Sequence, residues 1–287
     1  DPAPGGKHLL VGMVQRPYSY VHAYYSFPRE TVVWDRAGKV VFPVHKRGLL
    51  DAIPIDGVAT GPRNISWRPN EPATLLWWEA LDKGDPKVKV PNRDKLMMTK
   101  APFAATAEVT RTVHRAMGVT HGEGGLALVS DYDRDRRWIT VTRIFLDDRN
   151  AEPKQVWSRS MQDRYRHPGT PIMKRLPNGA SIMQQSGDYV FLRGDGATPK
   201  GDRPFLDRMN IKTWQTERIF QAGETGYESV VGLLSDDGAR FVTSYEDPQT
   251  PPNLMVRVAG SDSRTPITKF VDPTPQLRQI KQQLVTY

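Results

Sequence analysis

The feature that most restricts this chain is a hairpin that keeps coming back. Its clearest copy is VVGLLSDDGARFVTSYE, residues 230–246, in which Ser235-Asp236-Asp237-Gly238 separates an apolar run from a second run at Arg240–Ser244. Asp-Gly between two apolar runs is a strong hairpin signal, because glycine takes positive φ without steric cost. Comparable corners fall near Gly6, Asn70, Gly124, Gly179 and Gly238, at intervals of 64, 54, 55 and 59 residues. Each interval has room for four short strands. A four-stranded unit repeating at this spacing cannot bury both faces alone and must stack on its neighbours. The expected fold is therefore all-β, a β-propeller with about five four-stranded blades near 1–45, 62–115, 117–159, 170–221 and 227–270. A β-sandwich is the other all-β solution, but it does not require a fixed recurrence.

The strands expected from the pattern include His8–Gln15, Thr31–Asp35, Asn64–Arg68, Ala73–Ala80, Leu126–Asp131, Trp138–Leu146 and Phe205–Ile211. In the fourth unit Pro171–Arg175 and Ala180–Gln185 flank the Pro177-Asn178-Gly179 corner, with Tyr189–Leu192 as an extra strand. The largest polar insertion follows the second strand of each unit: residues 16–30, 81–94, 131–137, 194–204 and 246–252. In a propeller these connections emerge on one face, and loops on a rigid scaffold carry function more often than its strands. The first unit lacks an innermost strand, and an unpaired blade edge invites self-association.

Composition limits the rest. The 287 residues carry 24 prolines, 23 glycines and no cysteine, which suits many turns and excludes disulfides and thiolate chemistry. The net charge of +8 comes from 40 Lys and Arg spread along the chain without a run of five. That reads as a solvated basic surface rather than a nucleic-acid footprint. No apolar stretch approaches the roughly 18 residues of a membrane span, so neither nucleic acid nor membrane is expected as a partner. The expectation is a soluble protein, of bacterial periplasmic or cytoplasmic type, with the compartment left open.

The chain lacks G-x-S-x-G and Walker-type phosphate loops. Its six histidines show no zinc spacing. Asp131, Asp133 and Asp135 have the spacing of a calcium loop, but Arg136 stands where glycine is needed and Thr142 where glutamate is needed, so they read as solvated loop charge. Trp77 and Trp78 read as one core and one exposed residue of a strand. No catalytic, cofactor or metal residues are assigned.

Longer stretches carry a resemblance. RPYSY at Arg16, GPRNISWR at Gly61, ATLLWWEALDKGDP at Ala73, SRSMQDRYRHPGTPIM at Ser158, GDGATPKGDRPFLD at Gly194 and PTPQLRQIKQQLVTY at Pro273 resemble the propeller of glutamyl endopeptidases, in the prolyl oligopeptidase superfamily of serine peptidases. The resemblance implies about five blades of a larger, seven- or eight-bladed propeller, an incomplete ring here, with residues 271–287 leading toward an α/β-hydrolase domain that holds the catalytic triad. It further implies a non-catalytic cap that gates peptide access to that domain, with a peptide substrate on the loop face. A preference for glutamate needs a cation near the substrate carboxylate. Arg16, Arg164 and Arg203 are candidates in the matching loops, together with Tyr18 and Asp85 as substrate-facing residues. Two other readings are a free-standing propeller that binds protein or peptide on its loop face, and a propeller enzyme such as a glycosidase.

Overall fold

The computed structural model describes residues 1–148, 150–281, 283 and 285. The stretch expected to lead onward, 271–287, therefore lies partly outside the described residues (282, 284, 286 and 287). The described part holds a short 3-10 turn, Pro275–Gln279.

The chain forms two compact units, residues 1–161 with 175–182 and residues 162–174 with 183–287. The first holds three antiparallel sheets taken in sequence order. The first sheet is β1 (His8–Val14), β2 (Arg29–Asp35) and β3 (Val40–Arg47), and Pro2 adds a single bridge to Leu9. The second is β4 (Arg63–Trp67), β5 (Thr74–Ala80), β6 (Asp94–Lys100) and β7 (Thr106–Thr112). The third is β8 (Arg115–His121), β9 (Leu126–Asp133), β10 (Trp138–Phe145) and β11 (Lys154–Ser160).

Two-residue periodicity explains how these sheets stack. Alternate residues of β5 point to opposite faces. Leu75 and Trp77 join Ala3, Val33, Trp67 and Phe103 in one apolar layer, while Leu76 and Trp78 join Leu96, Ala127, Val129, Ile144 and Leu146 in another. Both tryptophans are buried, at 4% and 3% exposure, which corrects the expectation of one exposed partner. A middle sheet covered on both faces has no solvent side for Trp78 to take. Polar contacts join the same sheets: Arg68 grips Asp147 with two bonds of 2.5 and 2.7 Å, and Asn70 Nδ2 donates to Gly122 O.

His121 is buried beside that contact. Burial, reinforced by the Arg68 cation, lowers its pKa to about 4. The unfolded chain binds this proton near pH 6.5 and the folded chain resists it, so stability falls as pH drops from about 6.5 toward 4. The loss amounts to about 3 kcal/mol over the full window. His121→Gln is expected to flatten the pH dependence of the urea midpoint between pH 6.5 and 5, above the range in which most carboxylates titrate. An unchanged slope would remove His121 from the account.

In the second unit, β12 (Thr170–Pro171), β16 (Tyr189–Gly194), β19 (Phe205–Asn210) and β20 (Thr216–Gln221) form the fourth sheet, with β15 (Gln185–Ser186) also pairing β16. Tyr189–Gly194 is thus the second strand of the sheet and not an extra one. The pair β17 (Ala197–Thr198) and β18 (Gly201–Asp202) is a small hairpin in its connections, and β13 (Met173–Arg175) with β14 (Ser181–Met183) is a separate two-stranded pair. The strand following Asn178-Gly179 is short and leaves the sheet to β16, whose Val190, Phe191 and Leu192 are all buried. The fifth sheet is β21 (Tyr227–Leu233), β22 (Arg240–Asp247), β23 (Thr250–Val258) and β24 (Arg264–Pro266). Only Pro248 and Gln249 lie between β22 and β23, so the expected 246–252 loop is a tight hairpin. Five antiparallel sheets in chain order, each layered face to face with the next within its unit, make this a β-propeller architecture.

Candidate functional site

A cavity of about 850 Å³ lies wholly within the second unit. Three backbone segments converge on it. Residues 164–174 bring Arg164, His167 and Lys174, the end of β16 and its following turn bring Arg193–Ala197, and β21 brings Ser229–Leu233.

Glycine fixes the geometry of the middle segment. At Gly196, φ is +63° and an added Cβ would lie 2.0 Å from Arg203 O. A side chain there would have to displace backbone, so the tight loop that the sequence showed only as Gly-rich requires glycine at this point. Arg203 N donates to Gly196 O, closing the turn, and Arg203 Nε donates to Ala222 O.

The charged side chains lining the cleft are Arg164, Lys174, Arg193 and Asp195. Three of the four are cationic, so the cleft carries a net positive charge at neutral pH. Arg193 Nη1 donates to Val230 O and Val231 O at 3.0 and 2.6 Å, which anchors the guanidinium on the rim of β21. Arg164 Nη2 reaches Asp202 Oδ2 at 3.3 Å, and His167 Nδ1 accepts from the Gly169 N–H. The acids gather on one side: burial raises the Tyr227 hydroxyl, and the nearby charges of Asp195, Asp202 and Glu246 push it further up. The arrangement can bind a carboxylate or another small anion. Among the described residues no three His, Cys, Asp or Glu side chains converge as metal ligands.

The sequence-derived candidates separate. Arg164 lines the cleft and Arg203 braces the loop beside it, with Glu224 3.8 Å from its guanidinium. Arg16 and Tyr18 lie in the first unit, both exposed, with the Arg16 guanidinium 5.7 Å from the Tyr18 ring. Tyr18 also leans on Phe27 at 5.8 Å. Asp85 accepts from the Lys87 N–H within a turn of the 81–93 connection. Sequence reasoning missed Lys174 and Arg193. Arg193 sits beside Gly194-Asp195, a tripeptide too short to carry information, and only the pairing of β12 with β16 brings it to the cleft.

Three connections of the first unit also meet. Val58 N donates to Gly84 O, and Arg134 pairs with Asp56 at 2.7 Å. The segment 48–62 is thereby tied to the 81–93 and 134–137 connections. Among the described residues no helix is long and apolar enough to cross a membrane.

Comparison with known proteins gives two full-length alignments of the chain. It is 33% identical over 307 aligned positions to a probable chloroplastic glutamyl endopeptidase of Oryza sativa subsp. japonica, and 32% identical over 313 to its namesake in Arabidopsis thaliana. Each alignment covers 100% of this chain but 33% and 32% of the relative, so the chain spans about a third of the length of the curated relatives it matches. Among solved structures, a putative dipeptidyl aminopeptidase IV from Bacteroides ovatus aligns with 13% identity and a TM-score of 0.47, over 96% of this chain and 40% of that one. No family model matches the chain.

Proposed function

The chain belongs, as a β-propeller part, to the glutamyl endopeptidase branch of the prolyl oligopeptidase superfamily, and we propose that it is a non-catalytic cap gating peptide access to an α/β-hydrolase domain. The observation that carries this reading is the alignment of the whole chain to one third of the peptidase relatives. Acyl transfer by a serine nucleophile needs a base and an oxyanion hole in register, and the 287 residues hold no nucleophile elbow of the G-x-S-x-G kind. The chemistry then falls to residues outside this segment, and the propeller contributes selection.

The cationic cleft supplies a means of selection. Arg164, Lys174 and Arg193 present guanidinium and ammonium donors to one volume. Charge-assisted bonds from such donors to a carboxylate are about twice as strong as neutral ones. An acidic peptide is therefore held in preference to a neutral one on its way to the hydrolase.

The test uses the longer protein, with propeller and hydrolase together. Reversing charge with Arg164→Glu and Lys174→Glu is expected to lower kcat/KM for acidic peptides by about tenfold, the effect of roughly 1.4 kcal/mol. Turnover of a small uncharged ester is expected to stay the same. The 287-residue segment alone is expected to resist labelling by a serine-hydrolase probe. Labelling of the segment, or an equal loss with ester and acidic peptide, would overturn the reading.

A further inference from the structure

A second cavity, about 400 Å³, opens between the second and third sheets of the first unit. Stacked sheets lie about 10 Å apart and normally fill that gap with interlocking apolar side chains. Here the filling stops. Val129 and Ile144 form the apolar floor, and above them the walls turn to Thr110, Thr112, Thr140, Thr142, Gln155 and Ser158.

Asp131 projects into this space from β9. It is 7% exposed, and its Oδ1 is buried without a hydrogen-bond partner. This corrects the reading of Asp131 as solvated loop charge: the strand continues to Asp133 and carries the residue inward. Burial raises the Asp131 pKa, the His114 charge and backbone N–H act against that, and the charges of Asp133 and Asp94 add to it. The other charges facing the cavity are already matched. Arg111 pairs with Glu108 at 2.7 Å. Arg136 lies over the Trp138 ring at 5.0 Å, with Asp133 at 3.9 Å. His114 Nε2 is 3.8 Å from the same Asp133. Asp94, behind the wall, is held by Arg63 and Arg115. Among the residues lining the cavity Asp131 is the one carboxylate, and its Oδ1 has no donor, while Arg111 and Arg136 are drawn to other acids. A buried, unpaired carboxylate oxygen in a roomy polar gap is costly unless something donates to it.

We propose that the gap between the second and third sheets is a binding site for a primary ammonium group, with Asp131 Oδ1 as its counter-charge and the threonine-rich walls as its polar surround. An ammonium has three donors and no acceptor, which matches an acceptor-only carboxylate. Two sources share this chemistry, a free small amine and a lysine side chain of a polypeptide.

The test follows the Trp138 indole N–H and the Asp131 carboxyl carbon by NMR on the 287-residue chain, at one pH and ionic strength. Propylamine and an Nα-acetyl-lysine amide are the probes, with propanol and an Nα-acetyl-norleucine amide as uncharged controls. Saturable shifts at millimolar amine are expected, weakened at least tenfold in Asp131→Asn. Saturation by propylamine identifies a free amine, and saturation by the lysine derivative alone identifies a polypeptide source. If the controls shift both signals as strongly, or neither amine shifts them, the gap holds water only and the proposal fails. The carboxyl signal is read in the unsubstituted chain, so it decides the matter even where the asparagine variant folds poorly.

Discussion

Asp94→Ala is expected to cost about 3–5 kcal/mol of unfolding free energy, the loss typical of removing one partner from a buried ion pair. Two carboxylates with fully buried side chains, Asp82 and Asp94, are shared among three arginines. Asp94 is held by Arg63 at 2.6 Å and Arg115 at 2.7 Å, and it accepts from the Ala116 N–H. Asp82 is held by Arg115 and Arg93, with the Gly84 N–H as a further donor. The network sews the starts of β4, β6 and β8 together, so truncating Asp94 takes the carboxylate from Arg63 and one of two carboxylates from Arg115. Glu108→Ala is the comparison, because its pair with Arg111 is exposed and such pairs contribute about 0–1 kcal/mol. Urea denaturation of both variants provides the measurement. Equal losses would mean that the network is no more than surface charge.

The same network has an acid signature. Burial alone would raise the Asp82 carboxyl, and the hydrogen bonds from Arg115 and Arg93 more than reverse that, holding it below its ordinary value. A depressed carboxyl contributes stability that is complete above its unfolded pKa of about 3.9 and is lost as pH falls through the folded value. His121 acts earlier, between about 6.5 and 4, so the two groups leave separable steps on the acid limb.

Gly238→Ala is the second large effect. The residue sits at φ +74°, and an added Cβ would lie 2.3 Å from the Phe191 ring. The left-handed backbone costs about 1–2 kcal/mol for a residue with a side chain, and crowding a well-packed core adds about 1–3 kcal/mol. Phe191 is fully buried with Ile172, Leu206, Val230 and Phe241, so it has nowhere to retreat. Gly124 provides the control: its φ is +55° but open space surrounds it, so alanine there meets only the backbone term. Thermal unfolding of the pair separates packing from conformation. A Gly238→Ala protein as stable as Gly124→Ala would show that Phe191 yields.

That contrast also explains what could be read from residues alone. Gly124 and Gly238 look alike in the sequence, each closing a corner at the expected interval, and the corners located the sheets because turn chemistry is local. What distinguishes them is Phe191, 47 positions away from Gly238 in the chain, and no local pattern reports such a neighbour. The fourth sheet was misread for the same reason. Ala180–Gln185 carries Ile182 and Met183, both buried, yet only long-range pairing with β19 makes Tyr189–Leu192 the strand of the sheet. Of the cleft, Arg164 was legible through a family-like loop, whereas Lys174 and Arg193 reach it through strand pairing. Asp131 looked like loop charge because the alternation of β9 is hidden by the acids that follow it.

The two-sided burial of β5 bears on how the chain can be made. A growing polypeptide releases the second sheet before any of the third has been synthesised. During that interval Leu76, Trp78 and Leu96 have no partner layer and face water. Each new sheet closes one sticky surface and opens another, so the nascent protein is never without an unsatisfied face until a neighbour arrives. Synthesis in the presence of a holding chaperone, or beside other parts of the same polypeptide, shields the interval that the finished stack no longer reveals.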